Sequence, residues 1–251
     1  MSARSASASE RHARLSAVIV APADLDARQR DAMFDIFARH YDEVSRQRFE
    51  SDLAEKDAVV VLEDGAGTIS GFSTQKVMRA RIDGRDVRAL FSGDTVIDRS
   101  HWGEQALCRG WCRYAGAVLS REPRTPLYWF LVSKGYRTYL YLPLFFREFY
   151  PRAGTPAPAF EQRVLDAFAL AKFPGQYDRA TGLISFAESQ GQLTGELAAV
   201  PPHRRDHEHV RFFLERNPEY ARGTELACLA AISPSNLNDF GRRLFQAAVG
   251  V

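Results

Sequence analysis

Asp94 is the side chain in this sequence best suited to take a proton from a nucleophile. It stands in the run SGDT, from Ser92 to Thr95, near the end of a long predicted strand that leads into a loop. A carboxylate held there could act as a general base, or could anchor a cationic group. The alternative is a bulge residue whose carboxylate hydrogen-bonds to neighbouring backbone. The residues alone leave both interpretations open.

A cluster of histidines and acidic residues is the second candidate site. Its members are His203, Asp206, His207, Glu208 and His209. Such side chains can hold a metal ion, which would suggest a metal-dependent hydrolase. The cluster also follows two prolines and contains two arginines, which is typical of a solvated helix start. We therefore expect no metal there.

The three cysteines and the overall charge exclude other classes of function. Cys108 and Cys112 lie one helical turn apart without a second ligand pair, so we interpret them as packing residues.

The 33 basic and 31 acidic side chains give a net charge of +2 without long like-charge runs, so no nucleic-acid partner is expected. No apolar run approaches the roughly 20 residues that span a bilayer. Residues 1–13 are interpreted as a disordered tail, and we expect a cytoplasmic protein.

The elements that must position Asp94 form an antiparallel meander. Asp64-Gly65 and Asp83-Gly84 are hairpin signals that join three strand patterns. Two helical patterns and one more strand precede them. The predicted strands are 15–21, 57–63, 68–82 and 85–98.

The pattern beyond the meander alternates helices with buried strands. Helical spacing runs from Trp102 to Leu119, and Leu127 to Val132 is a continuous apolar run, typical of a strand buried on both faces. Tyr139 to Tyr150 is aromatic-rich and predicts a helix that bends or starts near Pro143. After linker-like residues 151–158, the predicted elements are helices 160–172, 207–216 and 234–247 and strands 183–186 and 225–232. This predicts an α+β fold, with a mixed, mostly antiparallel central sheet flanked by helices on both faces and an α/β C-terminal extension.

This order of elements resembles the GNAT acyltransferase superfamily, whose members acylate an amine from acyl-CoA or an acyl carrier protein. Val96 to Leu107 (VIDRSHWGEQAL) is similar to the family's strand end, V-x-P-x-x-R-G-x-G-x-G-like loop and helix start. Gly103 matches one loop glycine, and Trp102 replaces the usual Arg or Gln. Gln105 and Leu107 stand where two further glycines are expected.

The resemblance implies that this loop binds a pantetheine thioester, because a helix N-terminus presents unpaired N–H groups to phosphate. The implied donor-binding residues are Val96, Ile97, Trp102, Gly103, Glu104, Gln105, Ala106 and Leu107. It also implies an oxyanion-binding backbone N–H near Val96 and a role for Asp94 as base or amine anchor.

The aromatic segment supplies further candidates. Leu144 to Tyr150 (LFFREFY) resembles the family's L-Y-x-x-x-G-F segment, with Phe145 where the family carries the Tyr that protonates the departing thiolate. Tyr136, Tyr139, Tyr141 and Tyr150 are candidates for the missing acid. We prefer Tyr139 because it lies near the start of the segment, close to the expected thioester sulfur. Ser133 ends the buried strand where the family splays two strands apart, and its alternatives are a catalytic residue or a strand-end turn.

The sequence thus predicts an N-acyltransferase that uses acyl-CoA or acyl-phosphopantetheine, without metal, to modify an amine of a small molecule, amino acid or peptide side chain. The dense aromatics admit either a channel for a long fatty acyl chain or a packed core. The alternative is a non-catalytic GNAT-like module that binds an acyl thioester or a partner protein. Residues 14–152 would form the acyl-thioester-binding core, and 153–251 an extension that completes the sheet or the substrate site.

Overall fold

The computed structural model describes residues 14–188 and 191–249, and the tail predicted for residues 1–13 lies outside them. The strands are β1 Ser16–Val20, β2 Tyr41–Asp42, β3 Ala58–Glu63, β4 Ile69–Ile82, β5 Arg85–Ile97, β6 Leu127–Ser133, β7 Tyr177–Asp178, β8 Leu183–Ile184, β9 Gln192–Leu193 and β10 Glu225–Ala231. The α-helices are α1 Ala27–His40, α2 Arg46–Ala54, α3 Ala106–Arg121, α4 Tyr136–Tyr139, α5 Tyr141–Phe145, α6 Ala159–Lys172, α7 Gly195–Ala198, α8 Pro202–Arg205, α9 Glu208–Arg216 and α10 Asp239–Val249. No helix in these ranges is long and apolar enough to cross a membrane.

Eight strands form one mixed sheet in the order β1-β3-β4-β5-β6-β10-β8-β7. All neighbouring strands pair antiparallel except β5 and β6, which are parallel. The two Asp-Gly turns join β3, β4 and β5 as the sequence predicts. The fold class is therefore the mixed, mostly antiparallel sheet expected from the sequence.

Helices cover both faces of this sheet. On one face, α3, α9 and α10 bury alternate residues of β6 and β10 around Trp111 and Trp129. On the other face, α6 packs on the opposite residues of the same strands, and α1 and α2 pack on β3 and β4. Gly110 lets α3 lie close to β1 and β3, because a Cβ there would come within 2.5 Å of the Val60 side chain. This packing fixes the start of α3 against the end of β5.

Local signals place the ends of the helices near the site. Asp26 caps α1 in a reciprocal capping box with Gln29. Ser45 caps α2 by accepting from the Arg48 N–H. The Ser45 cap ends the short connection between α1 and α2, which includes Tyr41.

The aromatic segment differs from the helix, bent or started near Pro143, that the sequence predicts. It forms the two short helices α4 and α5, and the chain after Phe145 is not helical. Tyr150 instead bridges to Leu229 of β10. Pro143 lies within α5, where its ring is tolerated because so short a helix has few internal hydrogen bonds.

The C-terminal residues contribute a strand to the main sheet. β10 pairs antiparallel with β6, from Leu226 opposite Ser133 to Ala231 opposite Tyr128. The last helix starts at Asp239, five residues after Pro234, where the sequence pattern places its start. The side chain of Asn238 accepts from the Gly241 N–H and so satisfies a donor of its first turn.

Candidate functional site

The candidate site lies where the parallel strands β5 and β6 separate. Their pairing ends at Ser92 opposite Leu131. Beyond that point β5 pairs only with β4, and the register shifts between Ser73 and Gln75. Gly93 and Asp94 lie at this shift, so Asp94 is a bulge residue at the point of separation. Bulges are found next to active sites because they redirect a side chain.

Two cavities meet at this point. The carboxylate cavity, of about 390 Å³, includes Asp94 and Glu225 in its walls. The loop cavity, of about 550 Å³, includes residues 102–105. Both are lined by Tyr41, Thr95, Lys134 and Thr138. A molecule in one cavity can therefore approach a molecule in the other.

The carboxylate cavity holds charges of both signs. The acidic residues that line it are Glu43, Asp52, Asp94 and Glu225, and the basic residues are Arg48, Lys134 and Lys172. Most of these charges have partners, since the Lys134 ammonium lies 3.3 Å from Glu225 and the Lys172 ammonium lies 3.7 Å from Asp52. The described residues provide no hydrogen bond or ion pair to the side chain of Asp94. Asp94 is thus the carboxylate left available to a ligand.

The environment of Asp94 favours the protonated acid. Burial, with a smaller contribution from the negative charge of Asp52, raises the pKa of this carboxyl to about 6, although Lys56 and Lys134 oppose the shift. At neutral pH Asp94 is mainly ionised, yet it holds a proton more readily than an exposed aspartate. A group with a pKa just below the working pH is well matched to general-base catalysis.

Lys134 and Tyr41 belong to the wall that the carboxylate and loop cavities share. The Lys134 ammonium donates to the Gly191 carbonyl at 2.8 Å and lies 5.2 Å from the centre of the Tyr41 ring. Burial raises the pKa of Tyr41, and the charges of Asp94 and Glu225 add to this effect. The Tyr41 phenol therefore stays protonated at neutral pH and can donate a hydrogen bond.

The predicted donor loop lines the loop cavity. Val96, Ile97, Trp102, Gly103, Glu104 and Gln105 all form part of its wall. Ala106 and Leu107 are buried at the start of α3, where Leu107 reaches a smaller inner cavity. The first-turn N–H groups of α3 have no partner within the helix, which makes this end suited to an anion. Gly103 has a φ of +94°, a conformation that favours glycine.

Trp102 is held at the mouth of the loop cavity. Its side chain is 45% exposed, and its indole N–H donates to the Ile97 carbonyl at 3.0 Å. The guanidinium of Arg137 lies 5.3 Å from the ring centre and that of Arg99 lies 5.8 Å from it. Glu104 is occupied by His101 at 2.7 Å and by the Leu15 N–H at 3.2 Å. An aromatic ring with two guanidinium groups suits a phosphorylated, planar ligand.

The inner cavity opens from the loop cavity and has a volume of about 30 Å³. The two share Thr95, Cys108, Thr138 and Tyr141. Phe145 is buried against Trp111 and Trp129, so the aromatic segment packs as core around this space.

Two of the predicted catalytic residues lie apart from these cavities. Tyr139 is fully buried, and its hydroxyl donates to the Pro151 carbonyl at 2.8 Å. Ser133 is also fully buried, with its hydroxyl 3.9 Å from the Cys228 sulfur. Neither residue lines the carboxylate, loop or inner cavity.

Tyr141, a candidate acid that the sequence analysis ranks below Tyr139, lines both the loop cavity and the inner cavity. Burial raises the pKa of Tyr141, so its phenol remains a proton donor at neutral pH. Because Tyr141 lies two residues after Tyr139, the two side chains lie on different sides of the chain. Glu225 and Tyr41 carried no local signal, since each is distant from Asp94 in sequence.

The histidine and cysteine clusters do not form metal sites in the described part of the chain. No group of three or more His, Cys, Asp or Glu residues is arranged there to hold a metal ion. Burial lowers the pKa of His209, whose ring packs on Tyr139 and Phe149.

Cys108 and Cys112 are buried, and burial raises the pKa of the Cys108 thiol to about 11. These residues pack, as the sequence analysis expects of the cysteines.

The sequence matches no family model and no curated protein. Among solved structures it is similar to an Enterococcus faecalis protein named as a probable N-acyltransferase, with 12% identity and a TM-score of 0.40, over 51% of this chain and 31% of that one. It is also similar to YhbS, a GNAT family N-acetyltransferase from Escherichia coli in complex with CoA, with 17% identity and a TM-score of 0.33, over 48% and 64% of the two chains. A third match is Escherichia coli ElaA, with 14% identity and a TM-score of 0.38, over 56% and 94%. The chain therefore spans about a third of the first of these proteins and less than two thirds of the second.

The sheet and the loop after β5 have the features that the resemblance implies. The meander leads into a parallel pair that separates at its end. The loop after β5 leads directly into α3. With these features the chain has the GNAT-like fold that the resemblance implies.

Proposed function

We propose that this protein is an N-acyltransferase that binds an acyl thioester in the loop cavity and an amine in the carboxylate cavity. The observation that carries the proposal is the meeting of the two cavities beside Asp94, whose carboxyl has no partner among the described residues and a pKa raised to about 6. The donor is acyl-CoA, or the same pantetheine arm on an acyl carrier protein, because both present a thioester. The acceptor is an amine of a small molecule, amino acid or peptide side chain.

Asp94 takes a proton from the ammonium form of the acceptor, and the free amine attacks the thioester carbonyl. A carbon–nitrogen bond forms, and the carbon–sulfur bond breaks as the tetrahedral intermediate collapses. The Tyr141 phenol protonates the departing thiolate. The second proton lost from nitrogen returns to the tyrosine through solvent, and Asp94 releases the first proton to solvent. The backbone N–H near Val96 is the oxyanion donor that the resemblance implies. No metal is required for these steps.

The carboxylate cavity suits a cationic acceptor. Its four acidic residues outnumber its three basic ones, and two of the basic residues already contact acidic partners. An ammonium group entering the cavity would find the Asp94 carboxylate within a partly desolvated site, where opposite charges attract more strongly than in water.

The first test is donor binding by calorimetry with acetyl-CoA. Trp102→Ala removes the ring that the Arg99 and Arg137 guanidinium groups contact, and we expect it to weaken binding about fivefold, since an aromatic–cation contact is worth ~1 kcal/mol. Because the side chain is 45% exposed, we expect little change in the melting temperature. Leu144→Ala is the matched control, since Leu144 is 39% exposed in the same cavity. Equal affinity of both variants would remove Trp102 from the donor site.

The donor's acyl length provides the second test. The inner cavity of about 30 Å³ supports a short acyl group, because inserting methylenes into a packed core typically costs about 1–3 kcal/mol. We therefore expect kcat/KM to fall beyond about four carbons in a series from acetyl-CoA to palmitoyl-CoA. A kcat/KM that increases with acyl length would instead support a channel for a long acyl chain.

Binding of every thioester without turnover on any amine would favour the non-catalytic module, which the replaced loop glycines at Gln105 and Leu107 support.

A further inference from the structure

The inner cavity has a mostly apolar surface, but a chain of hydrogen-bonded polar side chains borders it. Trp129 donates to Ser92 at 2.9 Å, and Ser92 donates to Gln75 at 2.9 Å. The Gln75 amide donates to Ser73 at 2.7 Å, and the Ser73 and Thr95 hydroxyls are 2.7 Å apart. Of these residues, Ser73, Ser92, Thr95 and Trp129 line the cavity.

The proton positions in this network follow from its two ends. Thr95 donates to the Gly93 carbonyl at 3.2 Å, and a carbonyl can only accept. Ser73 must therefore supply the proton of its bond to Thr95. Each of the three hydroxyls then accepts one bond and donates one, so each has one lone pair left but no proton. The Ser73, Ser92 and Thr95 hydroxyls can therefore accept a further hydrogen bond but cannot donate one.

The cavity also has a buried donor without a partner. Trp111 lines it and is 4% exposed, and its indole N–H is buried without a hydrogen-bond partner among the described residues. A buried donor without a partner costs about 1–3 kcal/mol. Thr138 and Tyr141 add hydroxyls on the side that the cavity shares with the loop cavity. The inner cavity therefore combines an unpaired donor on Trp111 with free acceptors on Ser73, Ser92 and Thr95.

We propose that the inner cavity is an acyl subsite selective for a short acyl group that carries a hydroxyl. This inference rests on the proposed function, since the thioester must lie in the adjoining loop cavity. The alcohol oxygen accepts from the Trp111 N–H, and its proton is donated to one of the free hydroxyl lone pairs. The cavity of about 30 Å³ has room for little more than this group.

Other acyl chemistries satisfy the cavity less well. An alkyl end leaves the Trp111 N–H without a partner. A carboxylate would accept from Trp111 but would face the lone pairs of Ser73, Ser92 and Thr95, and an ammonium would leave Trp111 unpaired. A hydroxyl is the small group that both donates and accepts.

The test compares pairs of donors that have nearly the same shape. Glycolyl-CoA is compared with propionyl-CoA, and 3-hydroxypropionyl-CoA with butyryl-CoA, by calorimetric binding to the full chain without acceptor, with free CoA as reference. We expect at least one hydroxylated donor to bind about tenfold more tightly than its alkyl counterpart, since a site built for a hydrogen bond discriminates against a group that lacks it.

Trp111→Phe keeps an aromatic ring and removes the N–H, so we expect it to abolish the difference within each pair. Tyr114→Phe, which also loses a polar group from α3 but lies outside the inner cavity, should keep the difference. Equal binding within both pairs by the wild-type protein would overturn the inference, and this comparison needs no variant to fold. If free CoA binds while the pairs do not differ, the subsite alone is wrong. If neither CoA nor any thioester binds, the proposed function fails as well.

Discussion

Asp94→Asn is expected to lower kcat for amine acylation by about 10²- to 10⁴-fold at neutral pH, the usual contribution of a positioned base. The asparagine keeps the shape of the side chain and loses the ability to take a proton. Activity should recover in part at high pH, where the acceptor amine is already deprotonated. The measurement is a pH–rate profile of the wild-type protein and the variant with acetyl-CoA and a saturating amine.

The raised pKa of Asp94 determines how the activity of the wild-type protein depends on pH. The base must be ionised to act, so activity should rise with pH through an apparent pKa near 6. This rise should be absent in Asp94→Asn. The matched control is Glu225→Gln, which removes another carboxylate of the same cavity, one already paired with Lys134. A pH-independent loss in Asp94→Asn would make Asp94 structural, and no loss would exclude it from the chemistry.

The same pKa shift predicts an effect on stability with a definite sign. An unfolded aspartate ionises near pH ~3.9, whereas Asp94 in the folded chain ionises near 6. Between these values the folded state binds more protons, so the free energy of unfolding decreases as pH rises through this window. Asp94→Asn should therefore raise the melting temperature at pH 7 relative to the wild-type protein, and the gain should shrink toward pH 4.

The sequence predicted the meander well because its signals are local. The turns at Asp64-Gly65 and Asp83-Gly84 join strands that are neighbours along the chain, and hairpin residues specify such a connection. The apolar run of β6 predicted a strand buried on both faces, which is where the sheet places it. The aromatic segment was less predictable because its path depends on contacts with distant residues. The Tyr150 backbone pairs with Leu229, and no local pattern encodes that partner.

The site was predictable only in the part that follows from one stretch of chain. Asp94 and the loop after β5 are close in sequence, so both were identified together. The ion pair between Lys134 and Glu225 joins residues about 90 positions apart, through the pairing of β6 with β10. Tyr41 reaches the site from the end of α1. Residues brought together by strand pairing and helix packing carry no joint signal in a single sequence.

Gly103 lies in the predicted donor loop but is a poor position at which to test donor binding. Gly103→Val would be expected, from the sequence, to disturb the donor while leaving the fold intact. The structure places no atom within 4 Å of a Cβ at Gly103, but its φ of +94° is strained for any other residue. A valine there would destabilise the loop through the backbone by about 1–3 kcal/mol. Trp102 is therefore the better position at which to test donor binding.

Tyr141→Phe is expected to lower kcat by about 10²-fold or more, because a general acid that protonates the leaving group typically contributes 10²–10⁴-fold. The fold should be nearly unchanged, since the phenylalanine keeps the ring that lines the loop and inner cavities. The loss should shrink with an activated aryl thioester as donor, because a weakly basic thiolate leaves without protonation. This dependence on the leaving group is a readout that a purely structural role would not produce.

Tyr139→Phe is the matched control. It tests whether the general acid is Tyr139, which the sequence favours, or Tyr141, which lines the cavities. Its hydroxyl bonds to the Pro151 carbonyl within the core, so the variant loses one buried hydrogen bond, worth about 1 kcal/mol of stability. We expect a lower melting temperature and an unchanged kcat with both donors. The opposite pattern, a large loss of kcat in Tyr139→Phe and none in Tyr141→Phe, would show that the α4–α5 segment rearranges when the thioester binds.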